Sequence, residues 1–138
     1  MSHNLNRPIN VLLADDSIST RKALKSVLRR EDKIVVLAEA GDAQTTLQIV
    51  EDGFEGVVVI DINLPEMDGT RTIRRIKQIR PTLPVIVLSF QSDIRYLQES
   101  VKAGASGYVL KERAYEDLVE AIKSVADRSN FFSIDLVP

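Results

Sequence analysis

Apolar residues along this chain fall into two repeating patterns that predict strands and helices in alternation. Five short, mostly apolar runs are typical of strands buried on both faces of a parallel sheet. They span residues 9–14, 35–38, 57–60, 85–88 and 108–110. After each run, apolar residues recur three or four positions apart, as on one face of a helix. Five strand-helix units without hairpin signals predict one parallel sheet with helices on both faces.

Caps and helix breakers separate these elements. Ser17 and Asp42 suit the position before a helix, where a side-chain oxygen can accept a backbone N–H. Gly53 and Gly104 follow two of the predicted helices, and Pro81 prevents a third from continuing. The connections are therefore short, and we expect a single α/β domain.

Length and composition agree with one domain. The chain has 138 residues, of which 44% are hydrophobic and 28% charged, an ordinary balance for one core. We expect a flexible tail at residues 1–8, a domain at 9–128 and a C-terminal tail at 129–138. Phe131 and Phe132 make this last tail more apolar than a free end needs. It therefore either packs against the domain or leads into a further segment.

Residue counts exclude several kinds of site. The chain has no cysteine, which excludes disulfides, thiolate metal sites and cysteine nucleophiles. Its one histidine, His3, lies in the polar amino-terminal tail, where we expect a solvated side chain, so the core has no histidine triad. A net charge of −2 gives no sign of a nucleic-acid surface. No apolar run reaches membrane-spanning length. We expect a cytoplasmic protein that contacts neither nucleic acid nor membrane directly.

Polar side chains follow four of the five predicted strands. Asp15 and Asp16 come after the first strand, Asp61 after the third, Ser89 after the fourth and Lys111 after the fifth. Because the carboxyl ends of parallel strands meet at one edge of a sheet, we expect these side chains to converge. Clustered carboxylates repel one another unless a cation offsets them, and oxygen ligands suit Mg²⁺.

This set of groups matches phosphoryl-transfer chemistry. A carboxylate beside Mg²⁺ can attack phosphorus and form an aspartyl phosphate. The metal and Lys111 can offset the charge of the phosphoryl oxygens, and the Ser89 hydroxyl can donate a hydrogen bond. Taken alone, Asp61 could equally be a turn or cap residue.

These residues resemble those of response-regulator receiver domains of two-component signalling. The resemblance includes Ile-Asp-Ile-Asn-Leu-Pro-Glu-Met-Asp-Gly around Asp61 and Gly-Ala-Ser-Gly-Tyr-Val-Leu before Lys111, and it extends from residue 9 to about residue 128. It is greatest to receivers that precede a LuxR/NarL-type helix-turn-helix output domain. It implies a flavodoxin-like (βα)5 three-layer sandwich with the strand order 2-1-3-4-5, an order taken from the family.

The resemblance implies a role for each residue of the acidic set. Asp61 would be the phosphoacceptor. Asp15, Asp16 and Asp61 would hold Mg²⁺ together with the backbone carbonyl of Asn63. Lys111 would contact the phosphoryl group. The protein would then be no conventional enzyme but would catalyse its own phosphotransfer and slow autodephosphorylation.

The resemblance also implies a switch and partners. Ser89 would be the switch hydroxyl and Tyr108 the switch aromatic, although a partly exposed tyrosine on an edge strand is the alternative for Tyr108. The donor would be a sensor histidine kinase or phosphotransfer protein. Phosphorylation would change the surface of the fourth helix, fifth strand and fifth helix, and so control an output such as transcription. DNA would be reached only through an output domain absent from this chain, and a homodimer stays open.

Two residues depart from the family pattern. Glu112 follows Lys111 where many receivers have proline, so we predict a trans peptide bond there. Phe90 follows Ser89 where the family usually has a small residue. Its ring is predicted to narrow access to Asp61 or to limit the movement of Ser89.

Two other functions compete with the receiver. A receiver-shaped interaction module that takes no phosphate is the first. A haloacid-dehalogenase-like phosphatase is the second, but its general acid would stand two residues after Asp61, where this chain has Asn63. The complete acidic set favours the phosphorylated receiver.

Overall fold

Strands and helices alternate through residues 7–133, the part of the chain that the structure, a computed structural model, describes. The strands are β1 (Ile9–Ala14), β2 (Ile34–Ala40), β3 (Val57–Asp61), β4 (Val85–Ser89), β5 (Gly107–Leu110) and β6 (Phe131–Phe132). The helices are α1 (Ile18–Leu28), α2 (Ala43–Glu51), α3 (Gly69–Ile79), α4 (Ile94–Ala103) and α5 (Ala114–Ala126). A 3₁₀ turn, Lys111–Arg113, joins β5 to α5. His3 lies outside the described residues.

The sheet is parallel and confirms the predicted strand order. Within residues 7–133 the order is β2-β1-β3-β4-β5-β6, so the family order 2-1-3-4-5 is extended by one strand. β6 was not predicted from the sequence. It forms because the N–H of Phe131 bonds to the carbonyl of Ser106, and the N–H of Ser133 bonds to that of Tyr108 at 3.0 Å. The sheet therefore continues beyond residue 128.

Two hydrophobic cores cover the two faces of the sheet, which gives the predicted three layers. Side chains alternate between the faces along each strand. Val57 and Val59 thus pack with residues of α1 and α5, whereas Val58 and Ile60 pack with residues of α2, α3 and α4. The two phenylalanines of β6 divide in the same way, one to each core.

Side-chain caps set where four helices begin. A side-chain oxygen at each N-cap accepts a backbone N–H from the first turn. The capping residues are Ser17 for α1, Asp42 for α2, Asp68 for α3 and Asp93 for α4. Every helix within residues 7–133 is too short or too polar to cross a bilayer.

The carboxyl ends of β1, β3, β4 and β5 meet at a single edge of the sheet.

Candidate functional site

Three carboxylates meet at this edge. One oxygen from each of Asp15, Asp16 and Asp61 lies within 4.8 Å of the others. Asp15 and Asp61 are buried, with 0% and 3% of their surface exposed, whereas Asp16 is open to solvent. The structure therefore brings together residues from the ends of β1 and β3, as the parallel topology requires.

Both oxygens of Asp61 have partners. Oδ1 accepts the backbone N–H of Asn63 at 3.0 Å, and Oδ2 lies 2.9 Å from Nζ of Lys111. Asn63 itself is exposed in the turn that follows β3. These two contacts fix the plane of the carboxylate and aim Oδ2 toward the lysine.

The loop after β3 returns close to its own start. A Cβ at Gly69 would lie 2.4 Å from the carbonyl oxygen of Ile62, so only glycine allows this approach. Asp68 then caps α3 by accepting the N–H of Arg71 at 3.1 Å. The glycine and the cap together hold the loop that carries Asn63 against the end of β3.

One oxygen of Asp15 has an ion contact but no hydrogen bond within residues 7–133. Oδ1 accepts the N–H of Ser17 at 2.9 Å. Oδ2 is buried without a hydrogen bond from residues 7–133 and meets Lys111 Nζ only as an ion contact, at 3.2 Å. A buried carboxylate oxygen without a hydrogen bond is costly, and an adjacent cation offsets that cost. The three carboxylates can therefore hold a metal ion, and their oxygen donors fit a hard divalent cation.

Lys111 stands between the two buried carboxylates. It is the first residue after β5, and its side chain is 15% exposed. Burial alone would lower the pKa of its ammonium. The hydrogen bond to Asp61 and the negative charges of Asp61 and Asp15 together outweigh burial and raise that pKa above its usual value. The Lys111–Glu112 peptide bond is trans, as predicted, because residues 7–133 contain no cis bond.

The aromatic ring of Phe90 packs beside this lysine. Nζ of Lys111 lies 5.1 Å from the ring centroid, a cation–π distance, while the ring is 66% exposed. A cavity of about 180 Å³ lies next to the pair and is also lined by Leu24 and Tyr115. That Phe90 narrows access to Asp61 or limits Ser89 stays a prediction.

Ser89 and Tyr108 are connected through one residue of the β4–α4 loop. The N–H of Gln91 donates to Oγ of Ser89 at 2.9 Å, and its carbonyl accepts the Tyr108 hydroxyl at 2.9 Å. Ser89 and Tyr108 are both fully buried, and burial raises the pKa of the tyrosine hydroxyl. The alternative of a partly exposed tyrosine on an edge strand is wrong, because β6 covers β5.

Sequence reasoning missed two polar residues near the site. Gln91 bridges the two predicted switch residues through its backbone, which no residue pattern reveals. Ser133 follows β6, and its buried hydroxyl accepts the N–H of Leu110 at 3.1 Å. The apolar pair before Ser133 was the available signal, since it left open a tail that either packs against the domain or leads into a further segment.

Comparisons with known proteins agree with this geometry. A family model described as the response regulator receiver domain matches residues 11–123. The transcriptional regulatory protein MctR of Rhizobium johnstonii is 38% identical over 125 residues, which are 91% of this chain and 58% of that protein. The transcriptional regulatory protein DegU of Brevibacillus brevis is 36% identical over 118 residues, which are 86% of this chain and 50% of that protein. The chain thus spans about half the length of these curated relatives.

Solved structures share the fold over nearly the whole chain. A LuxR-family two-component response regulator from Aurantimonas sp. SI85-9A1 superposes with a TM-score of 0.89 at 26% identity, covering 94% of this chain and 92% of that one. The non-phosphorylated receiver domain of the stress response regulator RcsB from Escherichia coli superposes with a TM-score of 0.86 at 25% identity, covering 92% and 99%.

Proposed function

The chain belongs to the response regulator receiver family of two-component signalling, and on this premise we propose that Asp61 accepts a phosphoryl group. Known relatives of this receiver are transcription regulators. One observation carries the proposal. The ammonium of Lys111 contacts Asp61 at 2.9 Å and Asp15 at 3.2 Å, in a cluster of three carboxylates at the carboxyl edge of the sheet.

Oδ2 of Asp61 is the attacking atom in this proposal. A lone pair on Oδ2 forms a bond to the phosphorus of a phosphohistidine, carried by a sensor histidine kinase or phosphotransfer protein. The phosphorus–nitrogen bond breaks, and its electron pair returns to the imidazole. Lys111 already contacts this oxygen, so its ammonium is well placed to offset charge on the phosphoryl oxygens. The protein thereby catalyses its own phosphorylation and the slow hydrolysis of the product, without being a conventional enzyme.

Asp15, Asp16 and Asp61, with the backbone carbonyl of Asn63, are the groups that we propose hold Mg²⁺. When bound, the metal offsets the negative charge of the carboxylates and of the phosphoryl oxygens. The charge of the cluster supports this assignment, because three carboxylates face the ammonium of Lys111 and a further cation would offset their remaining negative charge.

The proposed switch starts from the contacts of Gln91. The Ser89 hydroxyl would leave the N–H of Gln91 and donate to the phosphoryl group. The loop that accepts the Tyr108 hydroxyl through Gln91 would then shift, and the ring would follow. This is a change in the populations of two states. The surface formed by α4, β5 and α5 would differ between the states and would pass the signal to an output such as transcription.

Mass spectrometry of the intact protein tests the phosphoacceptor directly. The chain is incubated with Mg²⁺ and acetyl phosphate, and with EDTA in place of Mg²⁺. We expect one added phosphoryl group that requires Mg²⁺ and is lost in Asp61→Asn. Asp32→Asn is the matched control, because Asp32 is an exposed acid in a turn and should leave the addition unchanged.

Three outcomes would contradict the proposal. An unmodified parent chain would favour an interaction module that takes no phosphate. Addition that persists in Asp61→Asn would place the phosphoryl group elsewhere. Rapid turnover of a generic phosphomonoester would favour a phosphatase instead.

A further inference from the structure

Hydrogen bonds connect the residues on both sides of Lys111 to one aspartate, directly on one side and through Ser133 on the other. On the amino-terminal side, the N–H of Leu110 donates to Oγ of Ser133 at 3.1 Å. On the carboxyl-terminal side, Nε of Arg113 donates to Oδ2 of Asp117 at 3.0 Å. The Ser133 hydroxyl donates to the same Asp117 oxygen at 3.3 Å and closes the loop of contacts. We call these contacts the Ser133–Asp117 clamp.

The Ser133 hydroxyl replaces a missing strand partner. The β5–β6 ladder pairs Tyr108 with Phe132, and its last backbone bond runs from the N–H of Ser133 to Tyr108. Leu110 lies beyond the end of β6, so its N–H pairs with the Ser133 side chain instead of a carbonyl. Ser133 is only 1% exposed. Without this hydroxyl, the amide of Leu110 would lose its buried acceptor.

Asp117 fastens the clamp to the body of the domain. It lies on the first turn of α5, a helix that packs against β5 through Leu118. Its carboxylate also accepts a hydrogen bond from Nη2 of Arg113 at 3.3 Å. Two N–H groups of the guanidinium thus bind one carboxylate. The amide just before the 3₁₀ turn and the side chain of the last residue of the turn are therefore both connected to the same helix.

The clamp affects Lys111 because the position of the lysine ammonium depends on where the backbone of this residue lies. Its ammonium must contact Asp61 at 2.9 Å and Asp15 at 3.2 Å at the same time. Such paired contacts tolerate little displacement, and small errors in position are costly for a group that stabilises a reaction. The residue directly before Lys111 and the residue two after it are the ones that the clamp holds.

We propose that Ser133 and Asp117 are positioning residues for Lys111, and that they keep its ammonium over the phosphoacceptor. This inference rests on the proposed function, in which Lys111 offsets the charge of the phosphoryl group.

The rate of phosphorylation by acetyl phosphate in saturating Mg²⁺ tests the clamp. Ser133→Ala removes the hydroxyl, and we expect the rate to fall roughly tenfold, because a small displacement of a group that stabilises a reaction is costly. Calorimetry of Mg²⁺ binding to each variant sets the saturating concentration, so that a change in metal affinity does not enter the comparison of rates. Ser133→Thr keeps a hydroxyl and should restore most of the rate.

A matched control separates positioning from general loss of stability. Val50→Ala opens a gap under α2 on the opposite face of the sheet and is expected to destabilise the domain at least as much as Ser133→Ala. It should leave the phosphorylation rate near that of the parent. Asp117→Asn should also slow the reaction, and the Ser133→Ala and Asp117→Asn effects should be less than additive, because both act through one clamp.

Two results would overturn the inference while leaving the proposed function intact. One is a Ser133→Ala chain that is phosphorylated at the parental rate. The other is a Val50→Ala chain that is slowed as much as Ser133→Ala. If Ser133→Ala does not fold, as judged by circular dichroism, a parental rate for Asp117→Asn overturns the inference instead. A parent chain that takes no phosphoryl group is a different failure, since it removes the proposed function and the inference together.

Discussion

The ends of β3 and β4 lie side by side, yet their polar groups are connected in different ways. Asp61, at the end of β3, contacts Lys111 from a different strand, at 2.9 Å. Ser89, at the end of β4, accepts the N–H of Gln91 from its own loop. Across residues 7–133 no hydrogen bond joins Ser89 to Asp61 or Lys111. The β3 end thus belongs to a centre that is already assembled, whereas Ser89 must leave its partner to join it.

The two regions also differ in charge. The β3 end gathers three carboxylates around one lysine, so it is negative and gains from any added cation. The β4 end links neutral groups, the Ser89 hydroxyl, the Gln91 backbone and the Tyr108 hydroxyl. Charge therefore makes the first region responsive to a metal or a phosphoryl group. The second region can respond only through hydrogen bonds and packing.

Removing Lys111 should have the largest effect on stability. Lys111→Met keeps the apolar stem but leaves two buried carboxylates without their cation. We expect the free energy of unfolding in EDTA to fall by about 3 kcal/mol, as for other broken buried ion pairs. Urea denaturation measures it, and added Mg²⁺ should recover part of the loss.

Lys123→Met is the control for this substitution. Its ion pair with Glu31 is exposed, so the loss should stay below about 1 kcal/mol. Equal losses of unfolding free energy in Lys111→Met and Lys123→Met would mean that the ion contacts of Lys111 do not stabilise the end of β3.

Alkaline pH should remove the contribution of Lys111 from the parent chain. The pKa of Lys111 is raised in the folded state above the usual lysine value of 10.5. A raised pKa stabilises the fold fully below the unfolded value, and this stabilisation is lost as pH rises through the folded value. The difference in unfolding free energy between parent and Lys111→Met should therefore be constant below about pH 9.5 and shrink above pH 10.5.

Comparing these two chains cancels other alkaline effects. The pKa of Tyr108 is also raised, so its contribution is lost in the same direction, but it is present in both chains. If the difference in unfolding free energy between the parent and Lys111→Met stays constant to pH 11.5, the charge of Lys111 adds no stability.

A double-mutant cycle should show that Ser89 and Tyr108 act as one unit. Ser89→Ala and Tyr108→Phe each remove one hydrogen bond to Gln91, and each should cost about 1 kcal/mol of unfolding free energy. Their combined cost should be less than the sum, because Gln91 is shared.

The same cycle with Lys111→Met sharpens the comparison. Ser89→Ala and Lys111→Met should be additive within about 0.5 kcal/mol, because no hydrogen bond links the two regions within residues 7–133. A strong coupling between them in the unphosphorylated chain would mean that the two ends already form one site.

Truncating Phe90 should have the smallest effect on stability. The ring is 66% exposed and contributes to the β3 end through its cation–π contact with Lys111. Phe90→Ala should cost only about 0.5 kcal/mol of unfolding free energy. If the ring narrows access to Asp61, the same substitution should speed phosphorylation by acetyl phosphate, measured by intact mass. Phe90→Leu keeps an apolar side chain of intermediate size. Its phosphorylation rate should lie between those of the parent and of Phe90→Ala.

Local patterns were sufficient to predict most of the fold. The apolar runs at 57–60 and 85–88 became central strands, because strands covered on both faces must be apolar throughout. Ser17 and Asp42 became caps as predicted. The acids at the ends of the runs came together because a parallel topology leaves them no other edge to occupy. The sixth strand was missed since two residues are too few to show a period.

The sequence by itself determined the strand-helix alternation and the edge at which Asp15, Asp61 and Lys111 meet, because these depend on residue type and spacing along the chain. Only the tertiary structure decided that β6 buries Tyr108, that the Gln91 backbone joins Tyr108 to Ser89, and that Ser133 holds Leu110. Each of these contacts uses at least one backbone group, which every residue possesses, and most of them join residues far apart in the chain. Backbone groups carry no residue-specific signal, so their partners become known only when the folded chain brings them within hydrogen-bonding distance.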